Sequence, residues 1–237
     1  VLKAELDLIK PPEEIYEKIV LRSKEFVKDL KKKLADKNVK ADVFIGGSLA
    51  KGTLVRKKVY DIDVFVRFDR KYNDKEISGL LGKVLCADGS CVHGSRDYYK
   101  ILDKEDSENG TVMVEVIPVL KISKPSEAVN VTDLSFFHVN YLLKKVKENS
   151  KLVDEIRLAK TFAHGQNVYG AESYIHGFSG YALELLISHY GSFLKFVKEV
   201  VKFGDKNDKI VIDDAKFYDG KEGVLRDYVF KGGEFYN

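Results

Sequence analysis

The spacing of apolar residues along this chain changes several times, and each change marks an element. Residues 12–37 set Ile15, Ile19, Phe26, Leu30 and Leu34 at helical intervals behind Pro11-Pro12, which predicts one long amphipathic helix. Residues 41–46 read as a short strand and 48–54 as a short helix. The alternating run VYDIDVFVRF (59–68) predicts a second strand, and 74–85 a helix. Residues 96–102 read as a further strand, DKEDSENGT (103–111) as a turn, and VMVEVIPVL (112–120) as a third strong strand. Beyond Lys121 the character shifts. A polar connection with Pro125 leads into helical patterns at about 136–148, 151–167, 178–190 and 192–203. After Gly204 the periodicity fades: IVID (210–213) reads as a short strand and the remainder as irregular. The pattern predicts an α+β chain with a mixed first half and a helical second half.

Composition places this pattern in a globular protein. Of 237 residues, 44% are hydrophobic and 32% charged, so the chain can bury a core and is not of disordered type. Its apolar runs fall well short of a membrane span. Residues 1–20 carry Glu5, Asp7, Glu13, Glu14 and Glu17 and lack a signal-peptide pattern, which predicts a cytoplasmic protein. A net charge of +3 does not declare a nucleic-acid binder, yet Lys51, Arg56, Lys57 and Lys58 flank an acidic pair. The Lys28, Lys31, Lys32 and Lys33 cluster reads as a solvated helix face.

The acidic pair carries the chemistry. Asp61 and Asp63 lie two apart on a predicted strand and therefore share a face. An apolar strand is a costly place for two carboxylates unless a cation offsets them. Mg²⁺, with Mn²⁺ as the alternative, takes carboxylate oxygens together with substrate phosphates. Gly46-Gly47-Ser48 just upstream offers backbone N–H groups for phosphate. Glu115 is a lone acid in the third strand; it either joins the pair around two metals or faces solvent at an edge. Cys86 and Cys91 with His93 offer three potential zinc ligands, but a structural site wants four and no second pair follows, so the expectation is free thiols.

GGS, then DID, then a later strand acid is a pattern that resembles the DNA polymerase β-like nucleotidyltransferase superfamily. EAVNVTDLSFFHVNYL (127–142), EIRLAKTFAHGQNVYGAE (155–172) and GFSGYALELLISHYGSF (177–193) resemble the archaeal, class I CCA-adding enzymes, from about residue 13 to 213. The resemblance implies a nucleotidyltransferase palm, a small mixed sheet with helices on one face, over residues 1–122. It implies a mostly helical, neck-like nucleotide-binding domain over 123–237, with nucleotide between the two. Asp61, Asp63 and Glu115 become the catalytic metal ligands. Gly47, Ser48 and Lys51 become triphosphate contacts, and His138, Lys160 and Tyr169 contacts to the incoming nucleotide. Read from the residues alone, His138 could instead line or cap its helix and Tyr169 sit in a core.

The implied activity is transfer of a nucleoside monophosphate from ATP or CTP to a tRNA or tRNA-like 3′ end, with pyrophosphate released. Other acceptors are a protein, a small nucleotide or another RNA. The chain departs from the family at several points: Glu115 stands where Asp is usual, Lys51 where Arg is usual, TDLSFFH has Leu134 and Phe136 where an arginine and a proline are typical, and VIDD (211–214) lacks the arginine motif that reads the base. Arg226 is the nearest substitute in sequence. Family members continue into body and tail domains that clamp tRNA, so a truncated form is expected, completed by a protein partner or acting as a homodimer.

Overall fold

A computed structural model describes residues 2–86, 88–103, 111–172, 174–203, 210–214, 216 and 219–223. The chain divides into two compact units, Val1–Lys144 and Lys145–Asn237.

The first unit is built on a five-stranded sheet. β1 (Ala41–Ile45), β2 (Val59–Phe68), β3 (Ser90–Val92), β4 (Tyr98–Asp103) and β5 (Thr111–Leu120) lie in the order β1-β2-β5-β4-β3. The β2/β5 pair is parallel and the other three pairs are antiparallel, so the sheet is mixed. Alternation along β2 sorts its side chains between two faces. Tyr60, Ile62, Val64, Val66 and Phe68 are buried in the core, while Asp61, Asp63, Phe65 and Arg67 project the other way. The core face is covered by α2 (Glu13–Asp36) through Ile19, Leu30 and Leu34, and by α4 (Asp74–Leu85) through Ile77, Leu81 and Val84. Burying each such aliphatic side chain contributes about 1.5–3 kcal/mol, and this places the helices on one face of the sheet, as the resemblance implied.

α4 starts where Asn73 accepts a hydrogen bond from the Lys75 N–H at 3.1 Å. It stops at Cys86, which adopts a left-handed conformation at φ 53°. A short α1 (Leu2–Ile9) precedes α2; its eight residues carry too little period to announce it. The helix expected over 48–54 is a single turn, α3 (Gly47–Ala50); the backbone after it runs irregularly to β2. The strand expected at 210–213 is absent, for those residues form no ladder. The turn expected at 103–111 falls largely outside the described residues.

A buried ionic clasp ties the end of the sheet to the chain beyond it. Arg96 Nη1 donates to Asp133 Oδ1 at 2.6 Å and to the Pro118 carbonyl at 3.1 Å, and its Nη2 donates to Asp74. Asp133 also accepts the N–H groups of Leu120 at 2.7 Å and Asn130 at 3.0 Å. Burial alone would push the Asp133 carboxyl up; the Arg96 guanidinium and these N–H donors outweigh it and hold the group below its ordinary value.

α5 (Ser135–Glu148) follows this clasp. The second unit packs α6 (Leu152–Gly165), α7 (Gly180–Tyr190) and α8 (Phe193–Phe203) against one another. Their shared core is Ile156, Ala159, Leu183, Ile187 and Phe196. Ser179 caps α7 by accepting the Ala182 N–H, and Gly191 ends it at φ 77°. Among the described residues no helix is long and apolar enough to cross a membrane.

Candidate active site

The open face of the first unit's sheet gathers the predicted carboxylates. In the β2/β5 register Asp63 stands directly beside Glu115, and Asp61 beside Met113. Neighbours in register point to the same face, so Asp61, Asp63 and Glu115 share it. All three are half-buried. The row continues on β4, where Lys100 pairs with Glu115 and its ammonium lies 2.8 Å from Glu115 Oε1. Hydrogen bonding to that carboxylate holds the Lys100 ammonium above the usual lysine range. Lys57 reaches Asp61 Oδ2 at 3.5 Å. Asp61 and Glu115 therefore each already hold a lysine.

The glycine turn sits against this row. Gly46 N–H donates to the Asp63 carbonyl at 2.8 Å, which ties the end of β1 to the middle of β2. Gly47 has φ +57°, and a Cβ there would collide with the Asp63 carboxylate. Only glycine lets the turn come this close to the acid. α3 begins at Gly47, so the N–H groups of residues 47–49 lie in a first turn without intrahelical partners. Lys51, at the end of α3, is buried. Beside the acids an aromatic cluster closes the face: Phe44 stacks on Phe65 at 5.0 Å, Phe136 meets Phe44 edge-on at 5.3 Å, and the Arg67 guanidinium lies 3.9 Å over Phe136. His138 is half-buried on α5, one turn past Phe136's neighbour Leu134.

A second cluster lies in the second unit. Lys160 and Glu184 are both buried, and their charges meet at 2.7 Å. The Tyr169 ring stacks on His164 with centroids 3.8 Å apart, and a Cβ at Gly180 would press on the Tyr169 hydroxyl. Two sequence-predicted residues, Lys160 and Tyr169, thus meet around Gly180. The resemblance implies a nucleotide contact for Lys160; within the chain its ammonium pairs with Glu184.

Two family models match the chain: a nucleotidyltransferase domain over residues 24–136 and the second domain of tRNA nucleotidyltransferase over 154–228. Residues 24–136 thus carry a nucleotidyltransferase domain. The first model spans the carboxylate face and the second spans the Lys160 cluster.

Curated relatives of this chain are archaeal CCA-adding enzymes. It is 38% identical to that of Nanoarchaeum equitans over 187 residues, covering 77% of this chain and 44% of that protein. It is 32% identical to that of Methanocaldococcus jannaschii, covering 84% and 44%. The chain thus spans less than half the length of these relatives. Among solved structures, the RNA terminal uridylyl transferase Cid1 superposes with a TM-score of 0.60 at 17% identity, covering 80% of this chain and 51% of that one. CdnC of E. coli MS115-1, solved with HORMA, gives 0.60 at 17% identity over 90% and 74%. At these identities the superpositions show the fold: the mixed sheet and helical second half are those of nucleotidyltransferases.

Of the counter-ions, Lys57 stands in the basic segment beside the acidic pair, while Lys100 and Glu184 were missed; each of these two is the opposite charge in a run that otherwise explains itself. Glu184 is the one acid in the apolar helix GYALELLISHY, and a single buried acid demands a cation. Lys100 is the polar position of the strand YYKIL, directly across from Glu115. Arg226 lies outside the described residues.

Proposed function

We propose that this chain is the catalytic part of an RNA nucleotidyltransferase. It takes ATP or CTP and moves the nucleoside monophosphate to the 3′ end of a tRNA or tRNA-like RNA. The terminal hydroxyl oxygen forms a bond to the α-phosphorus, the α–β bridging bond breaks, and pyrophosphate leaves. The observation that carries this reading is the alignment of Asp63 with Glu115, with Asp61 on the same face and Gly47 pressed against Asp63. Similarity to the curated CCA-adding enzymes supports the choice of acceptor.

The donor set fits a hard divalent cation. Three carboxylates offer only oxygen, the ligand Mg²⁺ and Mn²⁺ prefer. Asp61 and Glu115 each already hold an ammonium, which marks the row as a seat for positive charge. Asp61, Asp63 and Glu115 would hold the ion. When bound, Mg²⁺ neutralises triphosphate charge and acidifies the attacking hydroxyl. The longer side chain of Glu115 reaches the seat from the neighbouring strand.

The remaining roles belong to the chain itself. The first turn of α3, with Gly47 and Ser48, presents backbone N–H groups to phosphate oxygens. Lys51 adds positive charge at the other end of that turn. His138 is the nucleotide contact that the first unit itself offers; in the second unit Glu184 holds Lys160 in a fixed position.

The test is incorporation of each labelled nucleotide into tRNA lacking its 3′ end, in the presence of Mg²⁺. The proposal expects CMP or AMP to be added. A folded chain that adds no nucleotide to any RNA end contradicts it.

A further inference from the structure

The hairpin formed by β3 and β4 holds a group of side chains that the nucleotidyltransferase reading leaves unused. In the β3/β4 register Cys91 stands opposite Tyr99, and Val92 opposite Tyr98. One step further, the same register sets His93 opposite Asp97. Residues two apart on a strand share a face, so Cys91 and His93 project together with Asp97 across from them. The Cys91, His93 and Asp97 ligand atoms all lie within 4.8 Å of one another. His93 Nδ1 is 3.1 Å from Asp97 Oδ1.

This group lies away from the carboxylate row. Tyr99 pairs with Val116, whereas Lys100 pairs with Glu115, so the Cys91 side of the hairpin and the Glu115 side are opposite faces of the sheet. β3 is also the edge strand of the sheet, with β4 between it and β5.

The turn that carries His93 and Asp97 is fixed from beneath. The Asp97 carbonyl accepts the Ser78 hydroxyl at 2.9 Å. The Ser95 carbonyl accepts the Asn130 amide at 2.9 Å. Arg96, between them, is locked in the buried clasp with Asp133. Such anchoring gives a ligand set its geometry before any ion arrives. Cys86, the other thiol that sequence reasoning weighed, is turned elsewhere. It ends α4, and its thiol donates to the Lys83 carbonyl at 3.3 Å.

We propose that Cys91, His93 and Asp97 form a binding site for a borderline divalent cation of the zinc type. Thiolate sulfur, imidazole nitrogen and carboxylate oxygen are the three ligand kinds that Zn²⁺ accepts, and three protein ligands leave the fourth tetrahedral position to water. His93 is 86% exposed at the side chain, so an ion can enter from solvent. Binding removes the Cys91 thiol proton to solvent as the sulfur–metal bond forms.

Co²⁺ titration of the reduced 237-residue chain tests this, because a cysteine thiolate on Co²⁺ gives a near-ultraviolet charge-transfer band. The proposal expects the band to saturate at one ion per chain and to disappear on adding Zn²⁺. Cys91→Ser should abolish it, while Cys86→Ser should leave it unchanged. His93→Ala, at an exposed position, should keep the fold by circular dichroism and weaken Co²⁺ binding about tenfold or more. A chain without the band, a band that survives Cys91→Ser, a band lost in Cys86→Ser, or unchanged affinity in His93→Ala overturns the proposal.

Discussion

Two charged clusters of this chain solve the same electrostatic problem in opposite ways. On the sheet of the first unit, Asp61 and Glu115 are half-buried and are met by Lys57 and Lys100, whose side chains are 39% and 38% exposed. In the second unit, Lys160 and Glu184 meet with side chains 6% and 0% exposed. The first pairs are reversible: water can take over either partner, and each is worth less than about 1 kcal/mol. The second is fixed, because separating two buried charges leaves each without a solvent. A site that receives and releases a charged ligand needs counter-ions of the first kind. A residue that must hold one position needs the second.

The sharpest way to break this contrast is Glu184→Gln. It leaves the Lys160 ammonium buried without its carboxylate and should cost about 3–5 kcal/mol of stability in denaturant unfolding. A cost near zero would place the pair in the exchangeable class. Gly47→Ala comes next. The left-handed backbone should cost about 1–2 kcal/mol. Nucleotide transfer should fall further than that loss explains, since the new Cβ displaces Asp63. Transfer unchanged from wild type would separate the glycine turn from the carboxylate row.

Acid sharpens the picture at the buried clasp of the first unit. The folded Asp133 carboxyl lies below its unfolded value of about 4, so its contribution is complete above that pH and is lost as pH falls through the folded value. Thermal unfolding followed downward from pH 5 or so should show a declining limb that flattens in Asp133→Asn. The smallest effect belongs to Lys100→Ala. Its folded ammonium titrates above its ordinary value, so it contributes below that value and loses the contribution only as pH rises past it. At neutral pH the variant should lose less than about 1 kcal/mol, measurable as a small change in unfolding midpoint.

Much of this was legible in the residues, for physical reasons. A strand that alternates, such as 59–68, declares its faces, and Asp61 and Asp63 therefore declare their shared side. Periodicity gives faces and not neighbours, so the pairing of Glu115 with Asp63 follows only from β5 lying beside β2. The counter-ions were hidden for the same reason: Lys100 is 15 positions from Glu115 in sequence and touches it only through the β4/β5 register. Glu184 is 24 positions from Lys160. β3, with three residues and one half-buried valine, carries no period to read. Nor does α1. His138, Lys160 and Tyr169 were named by resemblance. Of these, Lys160 and Tyr169 now have a local setting, in which Glu184 and His164 are their partners.

The central claim is that the Asp61, Asp63 and Glu115 row is where nucleotidyl transfer takes place. Its most direct test is labelled-nucleotide transfer by the Asp61→Ala/Asp63→Ala double variant beside the unaltered chain, on tRNA lacking its 3′ end and with Mg²⁺. Both acids lie on the solvent side of the sheet, so the variant should unfold at the temperature of the parent. The account predicts transfer lowered by about three orders of magnitude or more. A double variant that folds and retains the parent's full activity would contradict it.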